Sequence, residues 1–215
     1  MAVVIINPNS TSSMTDAMVR AASETVPEKR FTGWTSEMGP PAIQGAEDGA
    51  AATPPLLELV KQADAEGAEG IIIGCFDDTG LVEAAALARC PVLGIGQASF
   101  HYAALRNWRF SVVTTLAVSV PVLEGNIAML GLSKHLGRVR ASEVPVLALE
   151  DNPEAATERI LEEARLAEVE DGVQAVILGC AGMVHVTRAV EAELGIAVLD
   201  PVVTAASCMR WLTQS

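Results

Sequence analysis

The sequence predicts an α/β protein of two similar lobes, each built on a parallel sheet, facing each other across a cleft. Three observations carry this. Short runs of branched apolar residues alternate with helical stretches along the chain, the pattern of parallel strands covered by helices. Two of the runs, Ile71-Ile72-Ile73-Gly74-Cys75 and Val176-Ile177-Leu178-Gly179-Cys180, are near copies. The landmarks around them recur in the same order in both halves. Each half has a strand with a polar turn (at Asn7, then at Thr114), a helix, a Gly-Cys, and a last apolar run at Val92 or Val198. The Asn7–Cys75 and Thr114–Cys180 separations differ by two positions, and Cys75–Val92 and Cys180–Val198 by one. The first lobe is assigned residues 1–96 plus 200–215 and the second 97–199, with the last helix expected to pack back on the first lobe.

In chain order, Val3 to Ile6 is the first strand and Asn7-Pro8-Asn9-Ser10-Thr11 its turn. Ser10, Thr11 and Ser12 are good N-caps for a helix to about Val26. Phe31 to Thr35 is the second strand. Met38 to Gly49 is rich in Gly and Pro and reads as a loop, a candidate cover for the cleft. A helix from Ala50 to Glu66 is expected to be interrupted at Pro54-Pro55. Ile71 to Gly74 is the third strand, bounded like a fully buried parallel one. A short helix from Leu81 to Arg89, a strand from Pro91 to Ile95 and a helix from Gly96 to Leu105 follow. The second half opens with a strand at Arg109 to Val113. A helix over Leu116–Leu130 is expected to kink at Pro121, and a strand is expected within Val139–Val146. Asn152-Pro153 is an N-cap with Pro at the first helical position, starting a helix to about Glu170. Strand Val176–Leu178, helix Gly182–Glu193, strand Ile196–Leu199 and a final helix from Asp200-Pro201 to about Trp211 complete it.

The bulk numbers exclude several classes. The chain has 215 residues, half of them hydrophobic, and mean hydropathy is positive. The longest candidate for a membrane span, Phe110 to Leu123, has 14 uncharged residues, below the roughly 20 a membrane helix needs. No membrane partner is expected, and with no secretory signal at the start of the sequence the expected location is the cytoplasm. A net charge of −13 argues against nucleic acid, because no basic patch is available to neutralise phosphates. Four scattered cysteines form neither a disulfide framework nor a zinc site, so no metal is expected. Gly94-Ile95-Gly96 alone is no dinucleotide fingerprint, and no cofactor is expected. The implied partner is a small molecule, and association into a homo-oligomer is expected for so apolar a chain.

Cys75 and Cys180 stand just beyond two strands, where open α/β sheets place their ligands. A helix start lowers a thiol's pKa toward neutrality. A thiolate on one wall of a cleft and a thiol on the other could remove a proton from one face of a carbon and return one to the other, inverting the centre. Backbone N–H groups nearby could hold the enolate oxygen. A lone strand-end cysteine is more often a packing residue, but paired positions favour chemistry. Cys90 and Cys208 lack that symmetry and read as structural. Asp77 and Asp78 read as helix-capping acids; His101 and His185 read as packing or surface residues.

Ile6-Asn7-Pro8-Asn9-Ser10-Thr11, Gly74-Cys75-Phe76-Asp77-Asp78-Thr79-Gly80-Leu81, Gly94-Ile95-Gly96-Gln97-Ala98 and Leu178-Gly179-Cys180-Ala181-Gly182-Met183 together resemble the hydantoin and allantoin racemase branch of the Asp/Glu racemase superfamily. The resemblance spans nearly the whole chain. It implies two pseudosymmetric Rossmann-like (flavodoxin-like) lobes and a cofactor-independent racemase with Cys75 and Cys180 as catalytic thiols. It implies a substrate lined by Asn7, Asn9, Ser10, Phe76, Thr114, Thr115, Ala181 and Gly182. The amino-acid racemases of the superfamily usually carry Asn-Thr after the first cysteine and Thr-His after the second. Here Phe76-Asp77 and Ala181-Gly182 stand there, which points from an amino acid toward a neutral cyclic amide. An Asp/Glu-type racemase, a cysteine-dependent isomerase or decarboxylase of the same fold, and a catalytically silent binding protein are the alternatives.

Overall fold

The computed structural model describes residues 1–214; residue 215, the end of the predicted first lobe, lies outside the described residues. In the first half, β1 (Val3–Asn7), β2 (Phe31–Thr35), β3 (Gly70–Ile73) and β4 (Val92–Gly94) alternate with α1 (Ser12–Thr25), α2 (Ala46–Ala65) and α3 (Leu81–Leu87). The helix α4 (Ile95–Leu105) leads into β5 (Phe110–Thr114), α5 (Val120–Met129) and β6 (Leu136–Ala141). Then come α6 (Ala148–Asp151), α7 (Pro153–Glu170), β7 (Ala175–Gly179), α8 (Thr187–Glu193), β8 (Ala197–Leu199) and α9 (Pro201–Leu212).

The two sheets have the same plan. Their strand orders are β2-β1-β3-β4 and β6-β5-β7-β8, and every pairing is parallel. In each, the chain leaves the second strand in the order for one edge, then returns to that strand's other side. The direction of winding therefore reverses between β1 and β3, and between β5 and β7, and such reversals open a crevice at the strands' carboxyl ends. The correspondence reaches single hydrogen bonds. Ser36 N–H donates to the Asn7 carbonyl, and Ser142 N–H to the Thr114 carbonyl, both at 2.9 Å.

One apolar cluster joins the lobes. It holds Val3, Ile5 and Ile72 of the first sheet, Val112 and Ile177 of the second, and Met18, Phe100, Ala205 and Met209 from α1, α4 and α9. The helix α9 packs on α1 and α4. Phe76 meets Phe100 edge-on at 5.4 Å, and Phe100 stacks on Phe110 at 5.7 Å, an aromatic row from one lobe to the other. The outer faces are separate clusters, α2 against β1 and β3, and α7 and α8 against the second sheet.

Several elements differ from the sequence reading. The helix α2 starts at Ala46 and runs through Pro54-Pro55 without a break. Pro54 points to solvent, as do Ala50 and Ala51, whose carbonyls the two prolines leave unpaired and which water can hydrate. Pro121 lies in the first turn of α5, where a missing N–H costs nothing, and causes no kink. The strand sought in Val139–Val146 is β6, which ends at Ala141. The segment before α8 is a 3₁₀ turn, Ala181–His185. The Met38–Gly49 loop is tied down. Ser10 N–H and Thr11 Oγ1–H donate to the carbonyls of Pro40 and Pro41, and Gln44 Oε1 accepts from Val146 N–H of the other lobe at 3.0 Å. Asp200 and Asn152 cap α9 and α7 as expected, accepting backbone N–H groups in their first turns.

Candidate active site

Both crevices open onto one cavity. Cys75, Phe76 and Asp77 line it after β3, and Cys180, Ala181 and Gly182 after β7. Asn9 follows β1, Thr114 ends β5 and Thr115 follows it. Ile43, Met14, Ser119 and Val146 complete the lining, with Gly74 and Gly179. The cavity volume is only about 30 Å³, room for about one or two waters. A groove of about 700 Å³ between α1, α8 and α9 contains neither cysteine.

Two predicted residues stay outside the lining. Asn7 is fully buried, and its Nδ2 donates to Asn9 Oδ1, the Thr11 carbonyl and Thr15 Oγ1. Its Oδ1 accepts from Asn9 N–H. Asn7 thus positions Asn9 and does not face the cavity. Asn9 Oδ1 also accepts from Thr11 N–H. Asn9 thus fixes the turn before α1, whereas the side-chain cap expected from Ser10, Thr11 or Ser12 is not made: Thr11 is the N-cap residue and its hydroxyl donates to Pro41 instead. With Oδ1 committed, Asn9 turns its Nδ2 toward Met14, another lining residue. Ser10 is held by its backbone to Pro40.

The two thiols are held alike. Asp77 N–H approaches the Cys75 sulfur and Gly182 N–H the Cys180 sulfur, two residues on in each case. Cys75 Sγ also lies 3.3 Å from Thr79 Oγ1. The expected lowering of their pKa does not occur. Cys75 is pushed far above the usual thiol range, first by burial and then by the Asp77 charge. Cys180 is pushed up to about 11, chiefly by burial, with Gly182 N–H opposing and Asp77 adding. Neither thiol has a long helix to lean on: α3 begins only at Leu81, and a 3₁₀ turn follows Cys180. Loss of hydration dominates.

Two acids that read as caps part company. Asp78 caps a helix, but it is α4: Oδ1 accepts from Gly96 N–H at 3.0 Å and Oδ2 from Gln97 N–H at 2.6 Å. A Cβ on Gly96 would stand 2.4 Å from the Phe76 carbonyl oxygen and 2.8 Å from Asp78 Oδ2. Gly94-Ile95-Gly96 is thus the space in which this cap fits. Gly96→Ala is expected to cost about 1–3 kcal/mol of stability and to lower kcat by moving Phe76 beside Cys75; a urea titration with kcat at saturating substrate checks both. Asp77 is different. Its Oδ2 accepts from Ser119 Oγ–H at 3.2 Å, its carbonyl accepts from Asn126 Nδ2 at 2.8 Å, and both partners belong to the other lobe. Burial pushes it up to about 6, against hydrogen bonds from Ser119 and Gly45 N–H. It lines the cavity, which the sequence reading of it as a cap missed; the signal was its position two residues past Cys75.

A family model described as Asp/Glu/Hydantoin racemase matches residues 3–209. The chain belongs to that family. By that membership this racemase is an isomerase. It is 39% identical over 206 residues to the hydantoin racemase of Rhizobium meliloti, covering 95% of this chain and 86% of that one. It is similar to the allantoin racemase structure from Klebsiella pneumoniae with a TM-score of 0.93 at 33% identity, over 99% of this chain and 87% of that one. The allantoin racemase from Pseudomonas fluorescens gives a TM-score of 0.94 at 29% identity, over 100% and 91%. The glutamate racemase structure from Francisella tularensis, at 14% identity and a TM-score of 0.73, shares the two-lobe fold. Among the described residues no helix of the racemase is long and apolar enough to cross a membrane.

Proposed function

We propose that this racemase inverts the C5 centre of 5-substituted hydantoins or of allantoin, using Cys75 and Cys180 as opposed acid and base. The observation that carries this is the pair of thiols in one cavity, each just beyond a central strand at its own lobe's switch point. One cysteine as thiolate takes the C5 proton. The C–H bond breaks, an S–H bond forms, and the electron pair passes into the adjacent carbonyl as an enolate. The other thiol gives its proton to the opposite face, and its sulfur becomes the thiolate. The reverse reaction then starts from that second thiolate. The donors suited to the ring carbonyls are Asn9 Nδ2 and the Thr115 hydroxyl, which has no side-chain partner among the described residues. An enolate oxygen gains more from such donors than a carbonyl does, so they favour the transition state.

Hydantoin racemase and allantoin racemase are the names of the relatives above, and both support a cyclic amide. Phe76 and Ala181 support it too, since neither can hydrogen-bond an ammonium or a carboxylate. The test is loss of circular dichroism from single-enantiomer substrates in deuterated buffer without added metal or cofactor. The panel is L-5-benzylhydantoin, L-5-isobutylhydantoin, (S)-allantoin, L-aspartate and L-glutamate. Decay of a hydantoin or allantoin signal with deuterium entering at C5 is expected, with the amino acids unchanged. Turnover of the amino acids alone overturns the substrate class.

A further inference from the structure

We propose that Asp77 selects the substrate: its carboxylate accepts a ring N–H of the neutral cyclic amide and turns away molecules that bring a negative charge. The inference rests on the cyclic-amide reading above and names the residue that enforces it. Among the described residues, Asp77 is the one charged side chain in the lining, and no Lys, Arg or His joins it there. An amino acid would bring its own carboxylate into a cavity that already holds one and has no cation to pair it. Like charges at close range in a buried site repel strongly. A hydantoin meets no such opposition, and its N–H groups are donors that need an acceptor.

The carboxylate has capacity for one. Ionised, it offers about four acceptor positions, of which Ser119 Oγ–H and Gly45 N–H take two. Asp77 lines the same cavity as Cys75 and Cys180, so acceptor capacity remains beside the two thiols. Held by Ser119 and Asn126 of the other lobe, it is fixed before substrate arrives, so little ordering is left for binding to do. Its charge also opposes the chemistry, since it raises both thiols. A carboxylate that hinders thiolate formation contributes elsewhere, and the ring N–H is the group that needs it.

The experiment uses the whole racemase, Asp77→Ala and Asp77→Asn, with 5-benzylhydantoin and its N1-methyl and N3-methyl forms. In the native protein one of the two methylations is expected to lower kcat/KM by about 10- to 100-fold, the worth of a hydrogen bond to a charged acceptor. In Asp77→Ala the same methylation should cost less than about threefold. The second arm is inhibition by N-carbamoyl-phenylalanine, a ring-opened analogue carrying a free carboxylate. It should inhibit Asp77→Asn at least about tenfold better than the native protein. A methylation penalty unchanged in Asp77→Ala means that bulk alone is read, and overturns the role of Asp77. So does native turnover of both methylated forms at the parent's rate, or equal inhibition of the native and Asn forms. If Asp77→Ala does not fold, the native protein and Asp77→Asn still decide the question through the inhibition arm. A native protein inactive on unmethylated hydantoins overturns the function reading itself, an outcome separate from all of these.

Discussion

Cys75→Ser and Cys180→Ser each abolish racemisation, with kcat falling by about a thousandfold or more. Serine is close in size, so the cavity and the fold survive, but its hydroxyl is a far weaker acid and cannot cycle between proton donor and acceptor. The two-base geometry also predicts what survives. With one thiol removed, the other still faces one side of C5. Each single variant should therefore exchange the C5 hydrogen of only one enantiomer with deuterated solvent, without inverting it, and the two variants should prefer opposite enantiomers. Mass spectrometry of recovered substrate, with chiral chromatography, reads both. Exchange of both enantiomers by one variant would mean that a single base serves both faces. Full turnover in either variant would remove that cysteine from the mechanism.

The pH dependence of kcat/KM should be steep, rising about tenfold per unit and about 100-fold between pH 6.5 and 8.5. The sign follows from the thiols. A thiol is neutral below its pKa. Burial pushes Cys180 up to about 11 and Cys75 higher still. Throughout that range the fraction of the racemase carrying one thiolate therefore grows with pH. The second thiol stays neutral as the acid partner, so no fall from its loss is expected there. Asp77→Asn removes the negative charge that opposes both thiolates, and the profile should move to lower pH even where its height drops. A flat profile would show that the working proton is not lost to solvent. Steady-state rates with a neutral 5-alkylhydantoin in constant-ionic-strength buffers provide the check.

The fold was legible because its determinants are local. Ile71-Ile72-Ile73 and Val176-Ile177-Leu178 are branched and apolar on both faces, which suits only strands covered on both sides, and the two copies occupy β3 and β7 of matching sheets. Asp200-Pro201 and Asn152-Pro153 set their helix starts by short-range hydrogen bonds and a preset φ. The prolines read less well, because their effect depends on what surrounds them. Pro54-Pro55 is tolerated because its face of α2 is wet, and Pro121 because it opens α5. Neither fact is written in the neighbouring residues.

The sequence by itself determined the two-lobe α/β plan, the family, and the placing of Cys75 and Cys180 beyond equivalent strands, since hydrophobic period, turn chemistry and repeat order are properties of the chain. Only the tertiary structure decided which of the nearby polar groups meet in the cavity. Asn7 turned inward to hold Asn9, Asp78 turned to α4, and Asp77 reached the other lobe. It also decided the state of the thiols. A helix start pulls a cysteine's pKa down, burial pushes it up, and burial is the sum of contacts from both lobes that no stretch of sequence contains.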